Sequence, residues 1–277
     1  VAHLDTLTNG AEFQRADCAP ADTAGDGQLK VTDWVQAGRY AAGLDVWKLA
    51  GGPTDETPPA AARPVLTPQS ARTLTLDSTN VVQGLTRTFS VRLQASGNEN
   101  AVGFSLNYAP ASLTFVSAAV GANSGSATLN VNTNLAATGK IGCVLALPTG
   151  LNFAAGVKEI AKVTFRASST NSGALPVAFI DSPVVRAVSD SLASELTATY
   201  TAGTLTVNPP PALGVARSSS NVTLSWPTYA GDFQLQAVAK LGDAWSNTSP
   251  VVNSNGGVIS TTFSATNQPR FFRLQHP

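Results

Sequence analysis

The sequence has no methionine, only two cysteines and two histidines, and few charges. Each shortage removes a class of function. Charged residues make up 12% of 277 positions, and 17 Lys and Arg balance 17 Asp and Glu. A nucleic-acid binder carries a basic excess to neutralise phosphates, and none is present. Polybasic attachment to a membrane surface is unsupported for the same reason. No apolar run approaches the roughly 18 residues of a spanning helix. His3 and His276 stand at the extreme ends, so no Ser-His-Asp or Cys-His arrangement can be drawn. Cys18 and Cys143 form no CxxC, which argues against zinc and redox motifs. A chain that starts at Val1 and lacks methionine reads as processed or truncated.

What is abundant is Ser, Thr, Asn, Ala, Val and Gly. That composition favours strands, turns and an extracellular setting. In an oxidising compartment Cys18 and Cys143 are candidates for a disulfide, within or between subunits; the alternative is two independent buried thiols.

The chain divides by composition. Residues 51–71 hold Gly51, Gly52, Pro53, Pro58, Pro59, Pro64 and Pro68 and read as an extended linker. About 20 residues at ~3.1 Å each reach roughly 60 Å. Residues 72–208 alternate apolar and polar in short runs. The clearest are 73–76, 86–93, 102–108, 113–116, 160–165, 177–180 and 203–207. Eight or more strands in such a length imply a β-sandwich or jelly roll. Pro209-Pro-Pro211 is a second linker, and 212–277 reads as a small second β-sandwich, with Trp226 of Asn221–Pro227 in its core. The fold class is therefore mainly β, with a short helical segment at 1–50.

That first segment carries the most specific pattern. In Asp22-Thr-Ala-Gly-Asp26-Gly27-Gln28-Leu-Lys30-Val-Thr-Asp33, acidic residues fall at positions 1, 5 and 12, with Gly at position 6. This is calcium-loop spacing, with Asp22, Asp26, the Gln28 carbonyl and Asp33 as ligands. Ala24 and Lys30 depart from it at positions 3 and 9, where oxygen donors belong. The other reading is a metal-free turn whose Asp residues cap a helix. That helix is expected from a Thr32 cap to about Ala42, ending at Gly43. A shorter one is expected over 11–17, before Pro20. Ala2-His-Leu-Asp5 echoes Ala42-Gly-Leu-Asp45, the mark of a duplicated unit.

Asp33-Trp-Val-Gln-Ala-Gly-Arg39-Tyr40, with the loop before it, resembles the second repeat of a dockerin. Val81-Val-Gln-Gly84, Gly103-Phe-Ser-Leu-Asn-Tyr108, Leu113-Thr-Phe-Val116, Ala161-Lys-Val-Thr-Phe165 and Gly203-Thr-Leu-Thr-Val207 resemble the strands of a cohesin over about half the chain. The C-terminal unit resembles a fibronectin-type sandwich at most. The resemblance implies a secreted, non-catalytic protein with a weak calcium site. Its partner surface would be Val31, Trp34, Val35, Tyr40 and Leu44, packed near Leu4, Leu7 and Phe13. Its partners would be copies of itself, joined head to tail into a filament or surface layer, or another cohesin or dockerin protein. A plug and a socket on one chain make heterologous contacts, which stay open unless the rotation closes.

The second reading is an accessory fragment of a polysaccharide-degrading complex. Trp34, Trp47, Trp226 and Trp245, with Tyr40 and Tyr229, are the candidates for its sugar platform, of which Trp226 reads as core by its alternation and Trp47 and Trp245 are the looser ones. An enzyme is the third. A glycosidase needs two facing carboxylates, whereas Asp77, Glu99, Glu159, Asp181, Asp190 and Glu195 read as scattered, solvated turn residues.

Overall fold

The computed structural model describes residues 7, 9–55, 72–248, 250–265 and 270–277. The Ala2–Asp5 echo, Leu4 and most of the first linker lie outside these residues.

Two helices precede the strands: α1 (Gly10–Ala16) and α2 (Val31–Ala41). The Asn9 side chain caps α1 by accepting from the Ala11 and Glu12 amides. α2 begins one residue before the expected Thr32 cap. Its N-cap is Lys30, and the third helical residue, Asp33, reaches back to accept the Lys30 amide at 2.8 Å. Gly43, at φ 68°, ends the helix in the left-handed conformation.

The large β unit runs β1 (Arg72–Leu76), β2 (Thr79–Val82), β3 (Thr86–Ala95), β4 (Glu99–Asn107), β5 (Leu113–Val120), β6 (Thr128–Asn132) and β7 (Lys140–Ala146). It continues through β8 (Gly156–Ala167), β9 (Gly173–Ile180), β10 (Ala187–Asp190), β11 (Glu195–Leu196), β12 (Ala198–Thr201) and β13 (Gly203–Asn208). One sheet has the order β12-β1-β3-β8-β5; the other has β11-β10-β4-β9-β13-β2, with β7 and β6 joined beside β4. The last strands close on the first ones in parallel, β12 on β1 and β13 on β2. All other pairs in this unit are antiparallel.

The expected alternation decides what lies between the sheets. Leu74, Leu76, Phe89, Val91, Leu93, Phe104, Leu106, Val163 and Phe165 all point inward and are buried. Phe165 organises the rings, with Tyr108, Phe89 and Phe115 at centroid distances of 4.8, 5.8 and 6.2 Å. β4 breaks the pattern, because it is buried on both faces from Glu99 to Leu106. Something must cover its outer side, and α2 does.

Glu99 corrects an expectation. It is not a solvated turn residue but is fully buried, paired with Arg72. Of the other five in that set, Asp181 and Glu195 are exposed and Asp77, Glu159 and Asp190 half-buried, with Asp77 paired to Arg92 and Asp181 to Arg186.

The C-terminal unit comprises β14 (Gly214–Ser218), β15 (Asn221–Pro227), β16 (Gln234–Val238), β17 (Ser246–Asn247), β18 (Asn253–Asn255), β19 (Val258–Ser264) and β20 (Phe271–Gln275). They form a four-stranded sheet, β14-β15-β19-β18, and a three-stranded sheet, β17-β16-β20. Leu224, Trp226, Ala230 and Leu235 are its small core, so Trp226 is a core residue and not part of a sugar platform.

Candidate functional site, the docked N-terminal helices

The helical segment lies on the outer face of the large sandwich. Val31 and Val35 are one turn apart, so they share one face of α2. Both are buried against Ala101, Val144, Ala146, Val184, Ala187 and Ala193. The floor is made of small residues, which lets a helix approach a sheet closely. The approach is close at Gly103, where a Cβ would sit 3.5 Å from that of Val31 on the helix and 3.1 Å from the Val185 carbonyl oxygen of the sandwich. Burying two valines contributes about 3–6 kcal/mol at most.

Polar contacts fix the register of this docking. The Lys30 ammonium reaches Glu195 at 2.9 Å. Arg39 donates from Nη1 to the Ser191 carbonyl at 2.9 Å, while Nε and Nη2 grip Asp45, each at 2.7 Å. Gln36 also donates to Asp45, at 2.8 Å. The Arg39 and Gln36 donors hold the Asp45 carboxyl down to about 2. This knot folds the chain after α2 back along the helix.

The expected partner residues separate into two groups. Val31, Val35 and Tyr40 are buried, whereas Trp34 and Leu44 are 38% and 56% exposed. Tyr40 stacks on Trp47 at 5.6 Å and 20°, and Trp47 itself is 73% exposed. Phe13 is buried and Leu7 is half-buried. A cleft of about 660 Å³ opens beside α2. It lies between Tyr40, Gln36 and Asp22 on the helical side and Leu192–Glu195 on the sandwich side.

The loop before α2 is built from carboxylates facing amides. Asp33 accepts the Cys18 and Ala19 amides on one oxygen and the Lys30 amide on the other, all at 2.8 Å. Asp17, which spacing alone did not mark, accepts the Asp26 amide at 3.0 Å and the Gly27 amide at 2.7 Å. Asp26 accepts the Gln28 amide at 3.0 Å and the Lys30 ammonium at 3.1 Å. Burial pushes Asp33 up to about 6 despite its three amide donors. It also raises Asp17.

This arrangement does not fit calcium. Calcium takes about 6–8 oxygens at roughly 2.3–2.6 Å, and here the oxygens of Asp26 and Asp33 already face N–H groups. Asp22 is exposed to solvent. Among the described residues no three His, Cys, Asp or Glu side chains are grouped as metal ligands. The expected set of Asp22, Asp26, Gln28 and Asp33 is not assembled, and Ala24 and Lys30 explain why.

The disulfide is also not formed; both thiols are free. The reason is strand alternation. Val144 faces the helices, so its neighbour Cys143 faces the sandwich core. Cys18 donates instead to the Asp33 carbonyl at 3.4 Å. Burial, with Asp33 and Asp17 nearby, pushes Cys18 up to about 12, and burial alone does the same to Cys143. Neither is a nucleophile at neutral pH. Iodoacetamide at pH 8 is expected to leave both thiols unmodified in the folded chain and to label both in denaturant. A cross-linked pair would stay unlabelled in both conditions.

No protein-family model matches the sequence, and no curated protein matches it. Among solved structures the chain is similar to the sixth cohesin from Acetivibrio cellulolyticus scaffoldin B, a structure of the complex with a dockerin. The identity is 18% over 50% of this chain and 100% of that one, with a TM-score of 0.44. It is similar to a non-cellulosomal cohesin from the archaeon Archaeoglobus fulgidus, at 14% identity over 50% of this chain and 92% of that one, TM-score 0.43. A type I cohesin–dockerin complex from Clostridium thermocellum is a third, at 12% over 53% of this chain and 100% of that one, TM-score 0.45. These three solved structures are of cohesins, and each is matched over about half of this chain.

Proposed function

We propose that this chain is a secreted, non-catalytic structural module that joins to copies of itself, or to another protein of cohesin or dockerin type. One observation carries the reading. A separate N-terminal segment is seated on the sandwich by two valines and a few polar links, and a neighbouring copy offers the same face. Exchange of an identical element between protomers is a low-cost route to assembly. The tether decides between the two arrangements. A short flexible linker raises the local concentration of the segment and favours its own sandwich. From composition alone, five prolines between residues 53 and 68 favour a stiffer connection, which would shift the balance towards a neighbour.

Light scattering tests this. The full chain is expected to form oligomers that grow with concentration, and a chain lacking residues 1–50 to remain monomeric. Equal assembly by both chains places the joint in the β units, and a full chain that stays monomeric at high concentration removes self-assembly altogether.

The carbohydrate reading has one observation of its own: the exposed Trp47 ring, backed by Tyr40 at the edge of the cleft. A sugar ring stacking there quenches or shifts Trp fluorescence on titration with soluble glucans, and Trp47→Ala abolishes the signal. No change with the unsubstituted chain excludes it.

A further inference from the structure

We propose that the loop from Asp22 to Asp33 works without a metal ion, and that the Lys30 ammonium is its built-in cation and the clasp that holds the helices on the sandwich. A calcium ion in a loop of this spacing would close the turn, offset the carboxylates and tie the loop to the helix that follows. In this chain each task is done by other groups. Closure comes from Asp17 and Asp33, which take up the amides of Asp26, Gly27, Cys18, Ala19 and Lys30.

Charge is offset by Lys30. Its Nζ lies 3.1 Å from Asp26 and 2.9 Å from Glu195, and its side chain is only 11% exposed. Lys30 stands at loop position 9 and is also the N-cap of α2. Its ammonium therefore sits where the loop, the helix start and the β10–β11 turn meet. Burial acts against the charge, yet Glu195 and Asp26 keep the ammonium above its ordinary range. A side chain that carries its charge on the chain itself needs no ion from solution. The inference concerns how the helices are held, so it stands whether they sit on their own sandwich or on a neighbour's.

Two measurements on the full chain test it. Calorimetric titration with calcium chloride into the millimolar range is expected to show no saturable binding, and a chelator to leave amide exchange over residues 22–41 unchanged. Saturable binding, or loosening by the chelator, overturns the proposal. The second measurement is amide exchange in variants. Lys30→Gln is expected to speed exchange over residues 26–41 roughly three- to ten-fold, with β3 unaffected. Glu195→Gln gives a smaller effect in the same stretch, and the two effects are less than additive in the double variant. Lys30→Arg, which keeps the charge, retains most of the protection. Unchanged exchange in Lys30→Gln, or equal loosening in Lys30→Arg, overturns the proposal.

Discussion

Replacing Glu99 by alanine is expected to destabilise the large sandwich by about 3–5 kcal/mol, the range for stranding one partner of a buried ion pair. Arg72 is 1% exposed and Glu99 0%. The Glu99 carboxylate accepts from Arg72 Nε and from the Ser96 and Gly97 amides. Arg72 also donates to the Asn98 side chain. The pair joins β1 of one sheet to the β3–β4 turn and β4 of the other, where the chain enters the sandwich. Alanine at 99 leaves the buried Arg72 guanidinium without its carboxylate, and two part-buried amides without their acceptor.

Burial acts to raise the Glu99 pKa, but the Ser96 and Gly97 amides and Arg72 outweigh it, and the net shift is downward. A depressed carboxylate adds stability above its ordinary pKa of about 4.3 and loses it as pH falls further. The sandwich should therefore lose part of its stability between about pH 4 and lower values, and Glu99→Gln should flatten that slope. Urea midpoints over this range provide the check. Arg72→Met with Glu99→Leu should cost less than Glu99→Ala, since it removes the orphaned guanidinium and leaves only the Ser96 and Gly97 amides without their acceptor. If the single and double variants are equally unstable, lost packing and not an orphaned charge is responsible.

The strands were legible because an inward residue at every second position leaves a periodic trace. Thr86–Leu93 and Ile160–Phe165 show it, and the observed strands extend them at one or both ends. Glu99 was misread for the opposite reason. Its partner lies 27 residues away, and nothing in local spacing tells a buried glutamate from one in a turn. The start of β4 alternates poorly because both of its faces are covered, one by the core and one by α2.

In the loop, the positions of Asp26 and Asp33 were readable but not what their oxygens would face. Asp17 fell outside the twelve-residue window, and Glu195 is far away in sequence. The departures at Ala24 and Lys30 were the one local sign that the loop closes on its own amides. The split among the partner residues follows from helical geometry. Val31 and Val35 share a face, and Trp34, about 100° away from Val35, does not.

Asp33→Ala is expected to release the N-terminal helices and leave the sandwich folded. The Asp33 carboxylate is fully buried and is the common acceptor of three amides, those of Cys18, Ala19 and Lys30. It thereby joins the end of α1's loop to the start of α2. Each buried amide left unpaired costs about 1–3 kcal/mol; with the Ala19 amide buried and those of Cys18 and Lys30 partly so, the three together cost at most about 9 kcal/mol, comparable with the roughly 3–6 kcal/mol of Val31 and Val35 burial. Amide exchange over residues 10–41 should rise to near the unprotected rate, while β3 and β8 keep their protection. Asp33→Asn keeps one acceptor oxygen and should loosen the same stretch less.

The pH dependence separates this role from simple packing. Asp33 is pushed up to about 6 by burial, from an ordinary 3.8. Between those values the folded segment holds a proton that the unfolded chain has released. The contribution is thus fully present below about pH 4 and is lost as pH rises through 6, amounting to about 3 kcal/mol. Docking should tighten as a neutral solution is acidified to about pH 5, and Asp33→Asn should reduce that trend to the part carried by Asp17, which burial also raises. Exchange that is equally pH-dependent in Asp33→Asn, after correction for the intrinsic rate, would show that another group sets the docking and that Asp33 serves only as an acceptor.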